Sequence, residues 1–201
     1  METLSIFDHL GLKSELTDAA VTQMSLTSYA FSPASQLWLM LNGYEIFKLP
    51  GNPLSYWDTK IFDRVRIDIA PEIPEIIRYE SYIPTEAALK DPFVTNSIGK
   101  NHNAQQLFAD KQRKMLPDGV QLVAGLVTQL VDIAMLQSRD GRVFGETNGF
   151  RSSSIIDQQP LTHCSVSFQG LDRRLFVKKS LASNPNPVLG QCALILPANI
   201  Q

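Results

Sequence analysis

The stretch Leu116–Gly149, LPDGVQLVAGLVTQLVDIAMLQSRDGRVFGETNG, decides how the rest of the chain is read. Its first half, Val120 to Leu136, is the longest apolar run in the protein. Asp132 is its only charge, and Gln121, Thr128 and Gln129 are its only other polar side chains. A bilayer span takes roughly 20 mostly apolar residues, so this run is too short and too polar to cross one and must pack against protein. As a helix it lines up Val120, Val123, Val127, Leu130 and Ala134 on one face, with Leu122, Leu126 and Ile133 on another. Its β-branched residues and Gly125 lower helix propensity, yet its length exceeds the roughly 3 to 10 residues of an ordinary strand. The expectation is a central buried helix, with a long buried strand as the alternative.

Beyond the run, the signals turn to strands. Asn148-Gly149 calls for a two-residue hairpin turn, with Thr147 opposite Phe150 and Glu146 paired with Arg151. Leu161–Phe168, Arg174–Leu181 and Gln191–Leu196 read as further strands, joined through 170–173 and 184–187. Short links between strands make an antiparallel meander the economical arrangement.

Before the run, Asn103 is placed to cap a helix from Ala104 to Met115. Residues 93–103 read as loop, and Thr85 as the cap of a short turn ended by Pro92. Arg64–Ile69 alternates as a half-buried strand, and Glu75–Ile83 resumes an extended pattern between prolines. The segment QLWLMLNGYEIFKL, 36–49, carries Asn42-Gly43 between two apolar runs and reads as a β-hairpin apolar on both faces. A helix from Ser35 ended by Gly43 is its rival. Residues 2–24 suggest two short helices, the first carrying Leu4, Phe7 and Leu10 on one face.

The 201 residues and 22.4 kDa suit a single domain, with 50–103 a candidate extended arm or interface segment. Ser, Thr, Asn and Gln number 49 against 38 charged residues. Such a surface desolvates more cheaply than one of Lys and Glu, and interface cores are depleted in charge. The net charge of −2 and pI near 5.9 argue against a sequence-specific nucleic-acid binder, which normally carries a basic face. The start METLSIFDHL has no basic segment and no long apolar core, so cytoplasmic synthesis without a signal peptide is expected, with Cys164 and Cys192 free thiols.

Chemistry-bearing motifs are sparse. His163 and Cys164 are adjacent, but neighbours on a strand point to opposite faces and cannot form a nucleophile–base pair there. His102 or His9 would have to approach Cys164 from elsewhere in the fold. The spacing of two cysteines and three histidines fits no metal site. Glu72, Glu75, Glu80, Asp58, Asp63 and Asp68 supply carboxylates of the kind an acid–base pair needs, and solvated strand edges use such residues equally well. No phosphate loop, GxSxG elbow or HExxH is present. No catalytic residue, metal or cofactor is expected.

The composite expectation is an α+β protein. It has N-terminal helices and a β-hairpin, a central buried helix and a C-terminal antiparallel β-meander of sandwich or barrel type. Function is expected to lie in self-association or docking onto other assembly subunits, without a membrane, through Trp38, Phe47, Tyr56, Trp57, Tyr79 and Tyr82. Size and strand content fit a virion component, such as a bacteriophage tail, neck or capsid-associated protein. The alternative is a small-molecule-binding domain or small enzyme with a pocket between the central helix and the C-terminal sheet.

Overall fold

The computed structural model describes residues 29–49, 51, 61–62, 65–74, 77, 80, 82, 85–139, 148–169 and 174–198. The helices expected within 2–24 lie outside them.

Helix α1 spans Pro33–Leu41. Ser32 is its N-cap, the Oγ accepting from the Ser35 amide at 3.1 Å, and Pro33 fills the first turn. At the other end the Gly43 amide donates to Met40 O and the Tyr44 amide to Leu39 O, with Gly43 at φ +76°. This is a Schellman stop, which needs a left-handed residue after the cap. The apolar contact that accompanies such stops is supplied by Trp38 and Tyr44, ring centroids 5.7 Å apart. The hairpin reading of 36–49 is therefore corrected. Asn42-Gly43 ends a helix, and only the second half of the segment becomes a strand, β1 (Glu45–Leu49).

Strands β2 (Ile61–Phe62) and β3 (Val65–Ile69) follow, then β4 (Thr85–Leu89). The short turn expected at Thr85 is thus a strand, with Ala87 and Ala88 fully buried. Ile77 and Glu80 make turn bonds, to Pro74 O and Ile77 O, where an extended pattern was expected. Helix α2 covers His102–Arg113, capped by Asn101, whose side chain accepts from the Ala104 amide; Asn103 lies inside the helix.

The central run is divided. Val120–Val123 is strand β5, and Val127–Arg139 is helix α3. Gly125, at φ +75°, makes the break; a Cβ there would lie 3.1 Å from Leu130 and 3.2 Å from Leu194. Leu126 caps α3 without a polar side chain of its own. Gln129 reaches back to the Leu126 amide at 2.9 Å, and Ser154 Oγ accepts from the Val127 amide at 2.8 Å. The helix half of the expectation holds from Val127, and the strand alternative holds for the first four residues.

Strands β6 (Gly149–Gln158), β7 (Leu161–Gln169) and β8 (Arg174–Leu181) form the expected meander. The strand expected at Gln191–Leu196 is split into β9 (Leu189–Gln191) and β10 (Leu194–Pro197), which belong to different sheets. Phe150 pairs with Val166 on one side and Gly190 on the other, and Arg151 with Ser165 and Gln191. Both edges of β6 are taken there by β7 and β9; Thr147 and Glu146, the partners expected for Phe150 and Arg151, lie outside the described residues.

One sheet runs β1-β4-β10-β5 and the other β2-β3-β8-β7-β6-β9, and no barrel closes. The β3–β8 and β6–β9 pairs are parallel; the other pairs are antiparallel. Helix α3 is buried all round from Val127 to Met135, packed between β1 and the meander with Leu49, Ala87, Phe150, Cys164, Val166 and Leu194. The other face of the four-stranded sheet, bearing Ala88, Val120, Leu122 and Ile195, packs against Leu39 of α1 and Ala109 of α2. The protein is α+β. The described parts of 50–103, the candidate arm, are wound into this framework: β4 lies between β1 and β10, and Ile67, Ile73, Ile77 and Leu89 join the central core. No helix among the described residues is long and apolar enough to cross a membrane.

Candidate functional site

The aromatic residues singled out as interface anchors do not form one surface. Phe47 is buried in its own core, Trp38 seals the end of α1 against Tyr44, and half-buried Tyr82 donates to Asp132. Tyr56, Trp57 and Tyr79 lie outside the described residues. The apolar side chains that do reach solvent on α1 are aliphatic: Leu37 is 59% exposed, Met40 67% and Leu41 78%. Their i, i+3, i+4 spacing puts them on one side of the helix, while Ser35 and Leu39 point inward. Leu107 on α2 and Met115 just beyond its end are likewise exposed. The two helices cover the same face of the sheet, and a Cβ on Gly119 would stand 3.0 Å from Ser35 Oγ of α1. Reading 36–49 as a ribbon hid this division, because a two-residue period spreads the same side chains over both faces.

Two polar clusters lie beneath the surface. The first surrounds the start and middle of α3. Tyr82 Oη donates to Asp132, and Ser154 Oγ donates to Glu80 while accepting from the helix N-terminus. Asp132 is almost fully buried, and desolvation pushes its pKa up to about 8, so it holds a proton at neutral pH. Burial also raises Glu80, partly offset by the Ser154 bond. Cys164 is pushed up to about 12, by burial first and then by Glu80. A thiol so protonated is a poor nucleophile.

The second cluster lies across the six-stranded sheet, under the N-terminal half of α2. Arg151, from β6, is 1% exposed. Its guanidinium donates to Gln105 Oε1 at 2.8 Å, to Ser180 Oγ, and to the carbonyls of Leu181 and Asn184. His163 is cross-strand from Ser180, and its ring stacks on that of half-buried His102, centroids 4.4 Å apart. The alternation expected of a strand holds: Cys164 packs in the central core, and His163 faces the other way. Neither His163 nitrogen has a full hydrogen bond, and the Ser152 backbone offers only a partial one. Burial, then His102 and Arg151, bring the His163 pKa down to about 4. Gln191, beside Arg151 on β9, is 2% exposed with neither amide atom bonded.

Of the carboxylates noted in the sequence, Asp68 pairs with Arg66 and Arg174 and Glu72 is exposed; only Glu80 reaches a buried cluster. Glu75, Asp58, Asp63 and His9 lie outside the described residues. Among the described residues no three His, Cys, Asp or Glu side chains are grouped to hold a metal. Comparison with family models, with curated proteins and with solved structures finds no match.

Proposed function

We propose that the chain is an assembly subunit that associates with a second copy of itself through the outer face of α1. A repeating unit of a larger particle, a bacteriophage virion component among them, is the class that its size and strand content fit. The observation that carries the reading is the contiguous exposure of Leu37, Met40 and Leu41. Large apolar side chains clustered on a helix mark contact sites more than singly scattered ones do.

The choice of a like copy follows from charge. No charged residue occurs between Tyr29 and Tyr44, and α1 has none in its first or last turn. Such a face meets itself across a twofold axis without like-charge repulsion, which otherwise weighs against self-association. Three side chains are a narrow contact, since a stable interface takes about 800 Å² per partner. Leu107 on α2 and Met115 beyond it are further large apolar side chains that reach solvent. The interval between α3 and the meander is filled by Leu130, Ile133, Cys164 and Val166, packed in one apolar cluster.

Sedimentation velocity and native mass on the full chain test the reading. The wild type is expected at twice 22.4 kDa or more. The double variant Leu37→Glu, Leu41→Glu is expected as a folded monomer, because both side chains already face water. A wild type that stays at monomer mass at every concentration overturns the proposal. So does an oligomer whose mass the double variant leaves unchanged.

A further inference from the structure

We propose that Arg151, His163 and His102 form a binding site for a small oxyanion, a carboxylate or phosphate group, covered by the His102 ring. The first ground is charge. A guanidinium does not shed its proton in a protein, and buried charges are normally paired. Yet every group that Arg151 bonds is neutral, and among the described residues no carboxylate lies within ion-pair distance of it.

The second ground is the unmatched polar atoms beside it. His163 is 3% exposed with both ring nitrogens short of a full hydrogen bond, and the Gln191 amide is unbonded on the other flank of Arg151. Unsatisfied polar atoms at this depth are rare and point to a further group. The third ground is position: half-buried His102, in the first turn of α2, lies against the His163 ring, with centroids 4.4 Å apart.

The sign of the ligand follows. A metal cation brought to the two imidazoles would meet the charge of Arg151. A neutral molecule or water would satisfy the nitrogens and leave that charge unbalanced. An oxyanion does both, accepting from His163 and His102 while it offsets the guanidinium. It also favours the imidazolium form, so binding and proton uptake are linked. Among the described residues, the titratable and charged groups at the site are Arg151, His102 and His163 themselves, with exposed Lys178 on the same face of β8. The other contributions are the neutral Gln105 from α2, Ser180 from β8 and Gln191 from β9.

The test is imidazole NMR on the full chain with labelled histidines. It is titrated with inorganic phosphate and, separately, with acetate, against chloride at matched ionic strength. The expected result is a saturable shift of the His163 and His102 signals with at least one of the two anions. The His163 pKa should rise by about one unit, which corresponds to tenfold tighter binding to the protonated ring. A response to phosphate alone assigns a phosphoryl group, and a response to acetate alone assigns a carboxylate. In His163→Phe, which keeps the stacked ring and removes the nitrogens, the His102 shift should vanish while the fold persists. Two results overturn the site: no saturable response to either anion in folded wild type, or a His102 response unchanged in His163→Phe.

Discussion

Replacing Asp132 by Asn should make the protein more stable in mild alkali. The Asp132 carboxyl lies deep in α3, and its pKa stands near 8 against an ordinary 3.8. The folded value is the higher one, so the unfolded chain gives up the proton first as pH rises. The stability due to protonated Asp132 is therefore complete below 3.8 and is lost progressively up to about 8. At 1.36 kcal/mol per pH unit, the loss reaches ~4 kcal/mol at pH 7 and ~6 kcal/mol at pH 8 and above. His163 acts with opposite sign. Its folded pKa of about 4 lies below 6.5, so it removes stability as pH falls from 6.5 to 4. Between about pH 4 and 6.5 the two slopes cancel, and from 6.5 to 8 the slope of Asp132 is unopposed by His163. The Asn amide cannot ionise and still accepts from Tyr82 Oη. Glu80, Tyr82 and His163 titrate in both proteins, so the difference between them isolates residue 132. Urea unfolding from pH 5 to 9 should show wild type losing ~1.4 kcal/mol per pH unit relative to Asp132→Asn up to about pH 8, and no more above it. The variant should be the more stable of the two by several kcal/mol at pH 8. Parallel stability curves between pH 6.5 and 8, or a variant weaker than wild type at pH 8, would refute the reasoning.

Gly190→Ala should destabilise by about 1 to 3 kcal/mol in the same assay, the range for overpacking. Its Cβ would come within 2.5 Å of the Phe93 ring, which is held in a stack on Phe150 and has little freedom to move. Phe93→Leu in the same chain should restore part of the loss. Cys164 and Cys192 should resist iodoacetamide at pH 8 in the folded protein and react once denatured, because burial keeps both thiols protonated. Mass spectrometry reads the outcome, and fast native labelling of either contradicts the core described above.

Much of the architecture was legible because periodicity reports burial directly. The strands at 65–69, 161–169 and 174–181 alternate as their sheet requires. The misreadings share a cause. Asn42-Gly43 and Gly125 both supply a left-handed residue, and a positive φ serves a helix end, a strand end or a hairpin equally well. At Asn42, the deciding signal lay ten residues upstream in Ser32-Pro33, a cap followed by a first-turn proline. Thr85–Leu89 has the composition of a helix and becomes a strand because β1 and β10 flank it, a case of tertiary context overriding propensity. The polar cluster left no trace in the sequence. Arg151, His163, Ser180 and Gln105 come from three strands and a helix, and only the β6–β7–β8 register and the placement of α2 bring them together.

The four-stranded sheet has a consequence for synthesis. Strand β10 is the shared neighbour of β4 and β5, so 85–89 and 120–123 cannot be joined until 194–197 exist. A chain still leaving the ribosome can form the meander early, since β6, β7 and β8 are consecutive, while the sheet beneath α1 waits. Folding rate falls as contacts span more sequence, and the wait leaves Ala88, Leu122 and the inner side of α1 without cover. That half of the molecule thus closes only after 194–197 have been made.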